Sequence, residues 1–413
     1  VIRLVLAARA LRSFADGFIA VVLPAYLLAL GMAQLEVGFL STATLLGSAL
    51  ATLAIGRWGH RFSIRRLLLA ASLLMSATGL GFAGFSSFWP LLLVAFVGTL
   101  NPSSGDASIF MPLDHTVLAN ATDRTSVFAR YSFLGSISGA VGALAAGLPE
   151  LLGARMPMVD ALRGMFVLYA VVGVAAWVLY LRMPEPPAEA EKAAVPLGPS
   201  RGIVWRLAAL FSVDSFAGGL VLNSLLALWL FQRFGMSLAA AGAFFFWTGL
   251  LAACSQLAAG PLARRIGMIN TMVFTHIPSS LCLIGAALAP SLGLTLALLL
   301  ARSLLSQMDV PARSAFVMSV VTPAERPAAA SFTSVPRSLA AAVGPSITGA
   351  LFAVGAMATP LVGCGILKIA YDLALFAAFR RVEHGLVKEG AESRFTGNGS
   401  ATRAKCASRT IPQ

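Results

Sequence analysis

The 413 residues are 58% hydrophobic and only 11% charged, with a formal net charge of +13. Soluble domains average about 45–50% apolar and about 25% charged, so a water-soluble fold has no means of hiding this surplus, whereas a bilayer has. The positive charge does not indicate nucleic acid, because the basic residues sit in short loops between apolar runs and in the C-terminal tail, without interleaved aromatic side chains on which bases could stack. Cys254, Cys282 and Cys364 lie in separate apolar runs and Cys406 in the tail, a spacing that argues against a zinc site or a disulfide framework. No P-loop or other nucleotide motif occurs, which argues against an ATP-driven pump; no cofactor, no metal and no enzymatic chemistry are expected.

A helix needs about 20 apolar residues to cross a hydrocarbon core about 30 Å thick. In chain order, such runs fall at about 4–30, 37–56, 67–84, 89–112, 126–148 and 164–182, and again at about 204–231, 238–259, 271–289, 292–314, 328–354 and 361–379. The first run is too long for a signal-peptide core and reads as a span. Between the two sets, MPEPPAEAEKAAVPLGPSRG from Met183 to Gly202 reads as an exposed linker. The fold class predicted is therefore all-α integral membrane, with twelve transmembrane helices in two six-helix bundles, 1–182 and 204–382. A cytoplasmic linker (183–203) joins them and a disordered cytoplasmic tail (383–413) follows, where apolar periodicity is lost. Placing both termini in the cytoplasm puts most loop Lys and Arg inside and leaves only Arg155, Arg163 and Arg233 in the opposite loops. A multi-pass protein of a bacterial-type inner membrane, monomeric, with a lipid bilayer around it and no nucleic-acid partner, is the expectation.

The halves resemble each other at a shift of 202–204 residues. Ser13-Phe14-Ala15-Asp16-Gly17 recurs as Ser215-Phe216-Ala217-Gly218-Gly219, Asp106 matches Asp309, Asp123-Arg124 matches Glu325-Arg326, and Gly142 and Gly147 match Gly344 and Gly349. The loop from Gly56 to Arg61 recurs from Gly260 to Arg265. A parallel repeat of six-helix halves is an architecture of secondary transporters, with the site between the halves near the midplane. On the loop Gly56-Arg57-Trp58-Gly59-His60-Arg61-Phe62-Ser63-Ile64-Arg65-Arg66 and its second copy at Gly260 to Gly267, the chain resembles the major facilitator superfamily from Leu4 to about Val382. The family pattern there is Gly-x-Leu-Ala-Asp-Arg-x-Gly-Arg-Arg. Gly56, Arg61, Arg65, Arg66, Gly260 and Arg265 carry the match, while the aspartate is His60 in one copy and Arg264 in the other, so the family's cytoplasmic latch is not implied.

Ionisable groups within spans cost about 2.5–3.5 kcal/mol each at the bilayer centre and need a partner or an aqueous cavity. One reading makes them a salt-bridge network closing the cytoplasmic end, with some side chains snorkelling; Arg130, Arg302 and Arg313 suit it, and Lys368 and Asp372, at i,i+4, would neutralise each other. The other makes some carboxylates proton carriers. The resemblance implies that the first and fourth helices of each half line the cavity, which selects Asp16 and Asp106, then Asp214 and Asp309, as coupling candidates. Arg12, Arg130, Arg313 and Arg337 are the candidates for holding an anionic solute or forming a gate. His115, His276 and His384 read as isolated loop or interface residues. Pro102 and Pro311 are expected to interrupt the fourth and tenth spans. Gly344-Pro345-Ser346-Ile347-Thr348-Gly349 resembles part of a motif of exporters in the superfamily, or serves simple packing. The expected function is gradient-driven, proton-coupled movement of a small solute by alternating access, with export favoured over uptake. An anion carrier and a non-transporting receptor or scaffold are the alternatives.

Overall fold

The computed structural model describes residues 1–103, 108–118, 124–153, 155–184, 198, 200–322 and 325–396. Every regular element among them is helical. The first half runs α1 (Ile2–Ala29), α2 (Gln34–Trp58), α3 (Ile64–Gly84), α4 (Phe88–Val97), α5 (Phe110–Leu118), α6 (Arg124–Ala145), α7 (Leu148–Leu152) and α8 (Met158–Leu181), with a 3₁₀ turn at Gly59–Arg61. The second half runs α9 (Arg201–Leu220), α10 (Asn223–Phe234), α11 (Leu238–Ile266), α12 (Met268–Leu288), α13 (Leu292–Leu305), α14 (Asp309–Val320), α15 (Arg326–Ala353) and α16 (Thr359–Thr396). In lipid every backbone polar group must be satisfied within its own segment, which helices do and open strands do not. Large apolar side chains such as Leu80, Leu93, Phe274 and Ile366 accordingly remain exposed on the outer faces.

Ten helical units among the described residues are long and apolar enough to cross a membrane, and Phe88–Val97 is a shorter apolar helix. Of the twelve places expected, the fourth is taken by the broken pair α4 and α5, and the eleventh by α15, which carries Pro336, Pro345 and Arg337 in its interior. The expected interruptions are present: Pro102 lies between α4 and α5, and Pro311 sits in the first turn of α14, where a missing N–H is tolerated. A third break, between α9 and α10 at Val221-Leu222, has no proline to announce it. The last helix continues to Thr396 instead of giving way to a tail at 383; Leu386, Val387, Lys388 and Glu389 are adequate helix formers without being apolar enough for a span. Most of the expected linker, like residues 397–413, lies outside the described residues.

The sequence repeat has a packing equivalent. A Cβ on Gly17 of α1 would stand 2.0 Å from the Gly139 carbonyl oxygen of α6, and a Cβ on Gly142 would stand 2.0 Å from the Phe14 oxygen. At the repeat-related positions, a Cβ on Gly219 of α9 would stand 2.2 Å from the Ala341 oxygen of α15, and one on Gly344 would stand 2.3 Å from the Gly219 carbonyl carbon. Only glycine lets these backbones approach so closely. Gly344 therefore serves packing, as does Gly349, where a Cβ would stand 2.7 Å from the Gln34 oxygen of α2.

The halves touch through α2 against α15, α6 against α11, and α1 against α10 and α11. The contacts gather toward the end expected to face away from the cytoplasm. Ser346 donates to Thr42 Oγ1 through its backbone N–H at 3.1 Å and its hydroxyl at 2.7 Å, and a Cβ on Gly38 would stand 2.6 Å from the Pro345 oxygen. The Glu150 carboxylate accepts from the N–H groups of Leu238 and Ala239, the first residues of α11, capping the helix of one half with a side chain of the other.

Within the first half, Arg12 of α1 is buried and ion-paired with Asp114 of α5, and it also donates to the Tyr180 hydroxyl of α8. Tyr131 of α6 donates to the same carboxylate at 2.8 Å, and the Arg12 guanidinium stands 4.1 Å from the Phe110 ring centroid. Four helical segments are thereby fastened at one point.

Two outcomes follow. Asp114→Ala leaves Arg12 buried and uncompensated, which should cost about 3–5 kcal/mol and lower the melting temperature in detergent. The double variant Arg12→Met with Asp114→Leu should recover most of that loss. Thr42→Cys with Ser346→Cys, in a chain whose native cysteines are replaced, should form a disulfide. After cleavage at a protease site engineered within residues 185–197, the two fragments should then stay joined until reductant is added.

Candidate functional site

Three helix breaks converge. The α9/α10 break supplies Val221, Leu222 and Asn223, the α13/α14 break supplies Ser306 and Gln307, and the α4/α5 connection supplies Ser103 from the other half; all line one cavity of about 240 Å³. The two halves are joined there by the Ser224 N–H, which donates to the Pro102 carbonyl at 3.1 Å. Discontinuous helices free backbone groups that an α-helix would otherwise use internally, and such breaks are tolerated at membrane depth where they line a cavity. The remaining wall is polar: His276, Ser279 and Ser280 of α12, Arg302 of α13 and Lys368 of α16.

Behind this wall lies a buried ionic network. Asp214 of α9 accepts from Lys368 Nζ at 2.6 Å and is paired with Arg313 Nη1 of α14 at 3.2 Å. Arg313 also pairs with Asp309, one turn earlier on the same helix. His276 lies with Nδ1 3.0 Å from both carboxylate oxygens of Asp372, and with Nε2 3.4 Å from Lys368 Nζ and 3.9 Å from Asp214. Arg337 of α15 donates through Nε to the Ser215 hydroxyl at 3.1 Å, and its guanidinium stands 6.0 Å from the Phe211 ring centroid. Three carboxylates, Asp214, Asp309 and Asp372, thus face the cations Arg313, Lys368 and Arg337, with His276 as the member able to be neutral or charged.

Of the sequence candidates, Asp214, Asp309 and Arg313 meet in this network and Arg337 borders it. Arg12 is in the first-half cluster. Asp16, one turn along α1, is partly buried with Arg9 and Arg12 close enough to act on its charge. Arg130 is exposed and enters none of these pairs. Asp106 lies outside the described residues. In the loop motif, Arg65 donates to the Leu181 carbonyl at 2.7 Å and the Tyr180 carbonyl at 3.4 Å, closing the C-terminal end of α8. The Arg66 N–H is capped by the Ser63 hydroxyl, while the side chains of Arg61, Arg66 and Arg265 are exposed. Gly56 and Gly260 lie on α2 and α11 with no close backbone neighbour. On this same side, Glu325 at the start of α15 accepts from the Ser200 and Thr322 hydroxyls at 2.7 Å each and from the Gly198 N–H. Burial pushes its carboxyl up, but these hydrogen bonds outweigh burial and hold it down to about 2.

Two sequence expectations are corrected. Lys368 and Asp372 do not neutralise each other: Lys368 turns to Asp214 and Asp372 to His276, because partners on facing helices offer shorter contacts than the turn between them. His276 is not a loop or interface residue, since it is buried in α12. Asp114 was not among the sequence candidates because the fourth apolar run ends before it. The available signal was its lone carboxylate two residues past an apolar run. The repeat also relates Arg12 to Asp214, so one structural position carries opposite charges in the two halves, each answered from the distal part of the broken fourth helix of its half: Asp114 for Arg12 and Arg313 for Asp214.

The sequence profile described as Major Facilitator Superfamily matches residues 5–308. YJR124C, an uncharacterised membrane protein of Saccharomyces cerevisiae, is 23% identical over 94% of this chain and 96% of its own. Among solved structures, a bacterial homologue of the human lysosomal transporter Spinster, inward-facing and unoccupied, superposes with a TM-score of 0.68 at 18% identity, covering 91% of this chain and 94% of the other. The nucleoside transporter NupG superposes with a TM-score of 0.70 at 15% identity, covering 92% and 99%. This is a multi-pass membrane transporter rather than an enzyme, and the chain belongs to the Major Facilitator Superfamily.

Proposed function

We propose that this secondary transporter couples movement of its small solute to a proton, and that the coupling group is the second-half network of Asp214, His276, Lys368 and Asp372. One observation carries the reading: His276 and Lys368 belong both to the cavity wall and to the ionic network. A solute that draws on either side chain takes a partner from Asp214 or Asp372. A carboxylate that loses its cation while kept from water is left to take up a proton, and His276, between two carboxylates, offers a second carrier for it. Arg313, Asp309, Arg337 and Tyr371 surround the same carboxylates and keep the rest of the network in place. Asp16 retains a role in the reading as a first-half carboxylate on whose charge Arg9 and Arg12 act. Alternating access is the rocking of bundles 1–182 and 204–382, as monomers with both termini cytoplasmic. Contact between the halves at the outer end, through Thr42, Ser346, Glu150 and Leu238, supports a cytoplasm-open state. The direction of net movement follows the gradients.

The reading is checked in proteoliposomes offered a labelled mixture of amino acids, sugars, organic acids and nucleosides, with and without a pH gradient. The parent should accumulate at least one component with the gradient. Asp214→Asn and His276→Gln should each reduce that accumulation by at least about tenfold and leave exchange at equal pH measurable. Accumulation by both variants at the parent's level would remove the network from coupling, and the Asp16→Asn variant would then report whether the first half carries it.

A further inference from the structure

We infer that the solute is a small organic monoanion, a carboxylate bearing hydroxyl or amide groups, and that Arg302 is the residue that holds its negative charge. The inference rests on the transporter reading of the cavity, but it does not depend on proton coupling.

Arg302 differs from every other cation near the site. Arg313 and Lys368 are committed to Asp214 and Asp309, and Arg337 lies against the same carboxylates. Arg302 lines the cavity, and among the described residues its guanidinium has neither an ion pair nor a hydrogen bond; the ionisable groups that act on it are the thiols of Cys282 and Cys364. It stands in the last turn of α13, whose C-terminal end offers roughly half an elementary charge in compensation. That offset is incomplete, and a charge within a span otherwise needs a partner. The network behind it balances by itself, with three carboxylates against Arg313, Lys368 and Arg337 when His276 is neutral. Among the described residues one positive charge is therefore left facing the cavity, which suits a monoanion better than a dianion or a neutral sugar.

The other groups around the cavity complete the description. A guanidinium fork binds a planar carboxylate through two parallel N–H donors. Asn223 and Gln307 offer amides, and Ser103 and Ser306 hydroxyls, for the rest of the molecule. Ser280 Oγ is buried beside the cavity with no hydrogen-bond partner among the described residues, and a polar solute in the cavity can supply one. At about 240 Å³ the cavity holds roughly eight water volumes, which limits the solute to the size of a small metabolite.

The test is thermal stabilisation of the purified full chain in detergent, which needs neither a gradient nor a transferred proton. The probes are lactate, glycerate and gluconate, set against glycerol and glucose as neutral counterparts and inorganic phosphate as an alternative anion. At least one hydroxycarboxylate should raise the melting temperature in a saturable way while the neutral compounds do not. Arg302→Gln should weaken that binding by at least about tenfold, and Arg302→Lys by less. Equal stabilisation by neutral compounds, preference for phosphate, undiminished binding by Arg302→Gln, or stabilisation by none of the three carboxylates would overturn the assignment. Because the parent's preference among probes is read without any variant, the outcome stands even if Arg302→Gln fails to fold. A negative result here leaves proton coupling to be judged by accumulation under a pH gradient.

Discussion

A charge within a bilayer must be answered by an opposite charge, by water or by a ligand, and much of this molecule follows from that constraint. Arg12 is answered by Asp114 and Asp214 by Lys368 and Arg313, in each case from a different helical segment. Removing one partner of a buried pair costs more than the pair contributes, because the remaining charge is stranded. Such pairs therefore select one arrangement of helices and penalise the alternatives. They also provide a means of switching: an arrangement held by ion pairs changes when a solute or proton takes the place of one partner.

The close helix approaches at Gly17, Gly142, Gly219 and Gly344 make each half stiff, since the backbones touch where side chains would otherwise cushion them. The breaks between α9 and α10 and between α13 and α14 are the opposite, and with Ser103 of the α4/α5 connection they line the cavity. Stiff pairs at the α1/α6 and α9/α15 contacts with interrupted helices around the cavity suit a molecule that moves its halves as bodies and adjusts locally at the cavity. The halves share one fold but not one chemistry. The position filled by Arg12 in the first is filled by Asp214 in the second, and the polar cavity wall is drawn mostly from the second.

The membrane class, the helical runs and the repeat were legible because they depend on composition and on a constant offset, which any alternation of lipid-soluble and polar segments preserves. Asp214, Asp309 and Arg313 were legible because charges are conspicuous in apolar runs. Their pairings were less so. Lys368 and Asp372 stand four residues apart, a spacing that suggests a local pair, yet each finds its partner on another helix. Lone His276 carries no spacing signal at all, and only the meeting of α12, α16 and α9 brings it between carboxylates. Asp114 fell just beyond the apparent end of an apolar run. The α9/α10 break at Val221-Leu222 lacks the proline that marks the other two. Arg302 reads in the sequence as one more charge to be neutralised, and only its lack of partners among the described residues distinguishes it.

The central claim is that solute and proton use the same side chains. It is tested most directly by the internal pH of proteoliposomes loaded with a pH-sensitive dye, recorded as a transported solute is added outside at equal starting pH with the membrane potential clamped. The account predicts a lumenal pH change that accompanies solute entry in the parent and disappears in His276→Gln, while solute exchange persists. Solute entry with no accompanying pH change in the parent would contradict it.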